Sequence, residues 1–96
     1  MANINVSPDL LRTRAGQYEA ESENVGEMIE RLDSLLNELV EEWKGSASEA
    51  YAEKYEELKP DFVHAKDLLH DIAEALKITA DNLENIDSEI ASQFKA

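Results

Sequence analysis

Ninety-six residues, 43% of them hydrophobic and 32% charged, are enough for one folded domain and no more. A net charge of −13, from 22 acidic against 9 basic residues, excludes a surface built to hold phosphate backbones or to dock on anionic lipid. Without a cysteine the chain has no disulfide, no thiolate metal site and no cysteine nucleophile.

The N-terminal stretch Met1-Ala2-Asn3-Ile4-Asn5-Val6 lacks a basic n-region and an apolar h-region, so no cleaved secretory signal is expected. No stretch reaches transmembrane length, and stable membrane insertion is not expected. With only 3 glycines and 2 prolines, long uninterrupted elements are expected.

The first predicted helix runs from about residue 8 to residue 43. Ser7 is its N-cap, Pro8 suits the first helical position, and Asp9 meets the positive end of the dipole. Leu11, Ala15, Tyr18, Ser22, Val25, Ile29, Leu32, Leu36, Leu39 and Trp43 then recur at alternating spacings of four and three, a heptad seam. Gly16 and Gly26 weaken its first half by about 1 kcal/mol each. Met28, Leu35 and Val40 widen its second half enough to serve two neighbours.

A turn is predicted over 44–46. Gly45 is expected to supply a left-handed stop, and Ser46 with Glu49 a capping box for the next helix. That second helix is predicted from about 47 to 86. Its seam is Tyr51, Tyr55, Leu58, Phe62, Ala65, Leu69, Ile72, Leu76, Thr79 and Leu83, with Val63, Leu68, Ala73, Ala75, Ile78, Ala80 and Ile86 beside it. Pro60 falls inside the pattern and is expected to kink the helix without ending it, because the seam continues in phase.

The fold class is therefore all-α: one antiparallel helix-turn-helix hairpin spanning 1–96. Two helices alone cover one side of such stripes, so self-association into a four-helix bundle is expected. Equal rise per residue carries the second arm past the start of the first near Asn82. A projecting tail over about 83–96 follows. There Leu83, Asp87, Ile90 and Phe94 share one helix face, on which the seam would have preferred Ile86 to Asp87. An unpaired apolar stripe on a projecting segment reads as a docking surface. Trp43, the last seam residue of the first arm, reads both as a plug for the bundle end and as a contact.

Together these residues resemble the Trp-x-Gly (WXG) family of small secreted helical hairpins, the substrates of type VII secretion in Gram-positive bacteria and mycobacteria. The resemblance covers the whole chain and rests on Trp43-Lys44-Gly45 at the apex of two heptad arms. The family's C-terminal Tyr-x-x-x-Asp/Glu signal is absent, since no tyrosine follows Tyr55. Leu83, Asp87, Ile90 and Phe94 instead match the broader hydrophobic–acidic–hydrophobic–hydrophobic variant, which favours the homodimeric branch. The resemblance implies export from the cytoplasm as a folded homodimer without a cleaved signal. It also implies recognition by a membrane-bound hexameric ATPase and a role as export partner for larger effectors. Trp43 and Gly45 of one chain would form a composite signal with the tail of the other.

Enzymatic chemistry has no foothold in the sequence. Asp61/His64 and Asp67/His70 both read Asp-x-x-His, but on one helix and off its seam, with no matching inward carboxylate on the apolar seam of the first arm, so a solvated face is expected. No nucleophile–base constellation or phosphate loop is present, and neither a cofactor nor a metal is expected. The competing readings are an intracellular coiled-coil scaffold without an export role and a metal-dependent bundle enzyme.

Overall fold

In a computed structural model the chain forms two α-helices, α1 over Pro8–Trp43 and α2 over Ser46–Phe94. The structure describes residues 7–94, apart from the side chains of Ser88, Ala91, Ser92 and Phe94. The helices lie antiparallel in a rod of 77 × 23 × 18 Å, and no strand occurs among the described residues.

α1 starts by the expected cap: the Ser7 hydroxyl accepts the Leu10 N–H at 3.1 Å, and Pro8 follows directly. The bend differs from expectation in two ways. The left-handed residue is Lys44 (φ 40°, ψ 86°), and no glycine has positive φ. Lys44 closes α1 by donating its N–H to the Val40 carbonyl at 3.1 Å, which places the stop one residue before Gly45. Gly45 then caps α2, its carbonyl accepting the N–H groups of Ser48 and Glu49 at 3.1 and 3.2 Å. The capping side chain is Ser48, not the Ser46–Glu49 pair. Its buried Oγ accepts the Gly45 N–H at 3.2 Å and donates to the Gly45 carbonyl at 2.7 Å. A serine at the third helical position takes the part expected of a glutamate, because the helix begins one residue earlier than predicted.

α2 passes through Pro60 unbroken and continues to Phe94, well beyond residue 86. The helical period of the second arm is as expected, but half of its seam faces elsewhere. Tyr55, Phe62, Leu69, Leu76 and Leu83 are half-buried against α1, whereas Tyr51, Leu58, Ala65 and Thr79 are exposed. The row completing the contact is Ala52, Lys59, Lys66, Ala73 and Ala80, of which Ala73 and Ala80 are fully buried. In α1 the buried residues are Ala15, Ser22 and Ile29, seven apart.

Small residues on both sides define the axis of the hairpin, because they let two helix surfaces come close. Ser22 uses that proximity: its hydroxyl donates to the Lys66 carbonyl across the interface at 2.9 Å. At Gly26 a Cβ would meet only the flexible Lys66 side chain, its Cε at 2.9 Å. What reads in the sequence as a weak first half thus holds the fully buried Ala15 and Ser22.

Candidate functional site

Three surfaces flank the axis: an apolar edge, a polar edge and the overhanging end of α2. The apolar edge of α1 carries Leu11, Tyr18, Val25, Leu32 and Leu39, on the same seam as the buried column and four residues before its members. Its counterpart on α2 is the displaced seam row with Leu58, Ile72 and Ile86. Leu39, Leu58 and Ile86 are 41%, 46% and 50% exposed. The strip thus runs partly exposed along one side of the rod.

The opposite edge of α1 carries Arg12, Glu19, Gly26 and Asp33, again seven apart, and each meets a residue of α2. Arg12 makes ion pairs to Glu84 and, at 2.8 Å, to Asp81. These pairs raise the Arg12 guanidinium above its usual range and, chiefly through the hydrogen bond from Arg12, lower the Glu84 carboxyl. Asp33 accepts hydrogen bonds from the Tyr55 hydroxyl at 2.6 Å and from Lys59 at 3.1 Å. Those bonds, the tyrosine's first, hold Asp33 below the usual carboxylate range. The same bond pushes the Tyr55 phenol up to about 12, because ionising it would cost the donor and set two anions together.

His70 lies 2.8 Å from Glu19 through Nδ1. His70 is exposed, as expected of a solvated face, and its partner Glu19 is a carboxylate off the first arm's seam. Position 19 lies beside the seam and projects along the polar edge, so the seam positions alone do not reveal it. Asp61, His64 and Asp67 are exposed. Glu19, His70 and Glu74 place one ligand-capable atom each within 4.8 Å of one another.

The polar edge fixes where α2 outruns α1. Arg12 clamps Asp81 and Glu84, and Leu83 is half-buried beside them, so the free segment starts just after Glu84. Residues 85–94 then extend roughly 15 Å past the hairpin. Asp87 is exposed and Ile90 is 47% exposed. Phe94 ends the helix, while its side chain and residues 95–96 of the expected tail lie outside the described residues.

The stripe itself does not arise by a rotation of the face. Leu83 and Ile90 continue the contact row of Leu69 and Leu76, and Asp87 and Phe94 continue that of Ala73 and Ala80. The tail motif is the hairpin's own packing face, bared because α1 has ended.

At the other end of the rod the Trp43 ring lies 5.3 Å from that of Tyr51, tilted by 43° across the bend. Trp43 is 46% exposed, so within one chain it does not plug an interior. Gly45 has no atom within 4 Å of where a Cβ would be, which leaves the backbone beside Trp43 open. The described residues include no helix long and apolar enough to cross a membrane.

The chain is thus an open two-helix hairpin with a Trp-x-Gly bend and a C-terminal helix end that outruns the first arm. The profile of the WXG100 family, "proteins of 100 residues with WXG", matches residues 3–88, and the chain belongs to that family. It is 42% identical over 92 residues to protein YukE of Bacillus subtilis, covering 96% of this chain and 95% of that one. It is 27% identical over 94 residues to the type VII secretion system extracellular protein A of Staphylococcus aureus, covering 98% and 97%. The fold matches that of EsxA from Geobacillus thermodenitrificans with a TM-score of 0.83 at 40% identity, over 95% of this chain and 98% of that one.

Proposed function

We propose that this chain is a non-enzymatic secreted protein of a type VII system, made in the cytoplasm and exported without a cleaved signal. The observation that carries this reading is the overhang: the contact face that includes Leu83 continues past the end of α1, where Asp87 and Ile90 are exposed in the single hairpin. Kinship with a type VII extracellular protein supports it. Two copies pair through their apolar edges into a four-helix bundle, which removes the exposed Leu39 and Leu58 side chains from water.

In an antiparallel pair the bend of one chain lies near the overhang of the other. Trp43 and the bare backbone at Gly45 then join Leu83, Asp87, Ile90 and Phe94 of the second copy in one surface. A membrane-bound hexameric secretion ATPase reads that surface, and the dimer serves as export partner for larger effectors.

A truncation that removed Leu83 and Glu84 would also take away half of the Arg12 clamp, so the cut belongs after Asp87. Chains ending at Asp87, and full chains carrying Asp87→Ala with Ile90→Ala, are expected to remain helical dimers and to stay in the cell pellet. Normal appearance of both in the medium of a strain with an active apparatus would sink the export reading and favour an intracellular scaffold.

A further inference from the structure

We propose that Glu19, His70 and Glu74 form a surface site for a divalent transition-metal ion of the zinc class, bridging the two helices on the polar edge. His70 and Glu74 are four residues apart, one turn along the same face of α2, and Glu19 reaches them from α1. The three ligand-capable atoms already lie within 4.8 Å of one another. A tetrahedral zinc with bonds of about 2.1 Å sets its ligands about 3.4 Å apart, so small side-chain rotations complete the geometry.

The donor set decides the class of ion. One imidazole with two carboxylates suits zinc and its first-row neighbours, while calcium and magnesium prefer oxygen alone. All three ligands stand on helices rather than loops, which holds them in place. The net charge of −13 favours a cation there. The position has a competitor: Lys77 Nζ lies 3.3 Å from Glu74, a contact the metal must displace. Because Glu19 comes from α1, the bound ion ties the helices together and acts as a brace. The site lies on the edge away from the apolar strip and the overhang, so its test is independent of dimerisation and export.

Zinc chloride titrated calorimetrically into metal-stripped full-length protein is expected to read one ion per chain and to raise the thermal midpoint. Glu19→Gln and His70→Gln are each expected to weaken binding by at least the roughly tenfold that even outer-shell changes cost, and to abolish the thermal shift. Lys77→Met is expected to tighten binding by a few-fold, the scale of an exposed ion pair. His64→Gln, remote from the cluster, is expected to change nothing. No zinc binding at micromolar concentration overturns the site. So does binding that survives Glu19→Gln and His70→Gln, which would show adsorption elsewhere on the acidic surface. All four side chains reach solvent, and circular dichroism of each variant confirms that a lost signal is not lost fold.

Discussion

The two edges of the hairpin flank the same buried column, their residues standing four and three positions before its members, and carry opposite chemistry. On one side Leu11, Tyr18, Val25, Leu32 and Leu39 form an apolar strip that the chain itself leaves partly uncovered. On the other, Arg12, Glu19 and Asp33 are each engaged by a polar group of α2 at the same repeat. The difference separates two tasks. Polar pairs have directional geometry, so the second edge sets the sliding position of α2 against α1 while adding little energy. Apolar area is non-directional and favourable wherever it is buried, so the first edge is the one that the proposed pairing would cover.

The strongest way to break this division is to charge the apolar edge. Leu39→Glu with Leu58→Glu is expected to halve the solution mass, because each pairing would bury unpaired carboxylates at a cost of about 3–5 kcal/mol. Helicity is expected to persist, since both side chains are exposed in the single hairpin. Reversing the polar edge with Arg12→Glu is expected to leave the mass unchanged. A mass change there, and none from the leucine pair, would invert the assignment of the two edges.

A smaller effect tests the axis between them. Ala73→Leu inserts bulk where Ala73 is fully buried and is expected to destabilise the hairpin by about 1–3 kcal/mol in denaturant titration. Ala75→Leu, two residues on and exposed, is expected to stay within about 0.5 kcal/mol of the parent.

Below that come the glycines of α1. Gly16→Ala, with no atom within 4 Å of its new Cβ, is expected to stabilise by up to about 1 kcal/mol. Gly26→Ala is expected to gain less, because its Cβ displaces the Lys66 side chain.

The smallest effect is the pH dependence of the Asp33–Tyr55 clip. Asp33 is depressed in the folded state, so its contribution is present above the unfolded carboxylate value of about 4 and lost as pH falls through the folded value. Tyr55 is raised to about 12, so its contribution is present below the unfolded value and lost as pH rises through about 12. Thermal midpoints of wild type and Tyr55→Phe are therefore expected to converge at both extremes and to differ most between them.

Much of the architecture was legible in the sequence because it depends on period and caps. The heptad spacing, the Ser7 cap, the bend at Trp43-Lys44-Gly45 and the hairpin itself follow from local rules. Which half of a two-column stripe faces the neighbour does not follow from its period. A stripe with Tyr55 and Leu58 on it offers two faces, and the small residues Ala73 and Ala80, which look secondary by hydrophobicity, settle the choice by allowing closer approach. The details of the bend were illegible for a related reason: a one-residue shift in where α2 begins gives Lys44 the left-handed stop expected of Gly45, Gly45 the cap position expected of Ser46, and Ser48 the part expected of Glu49.

The sequence by itself determined that two amphipathic helices of unequal length must meet at Trp43-Lys44-Gly45, since helical rise and apolar spacing are properties of the chain alone. Only the tertiary structure decided which face each helix turns inward. That choice brings Glu19 to His70 and Arg12 to Glu84. It also makes Leu83, Asp87 and Ile90 the continuation of an interior face, because which face a helix buries is determined by the fit between two surfaces and not by either one.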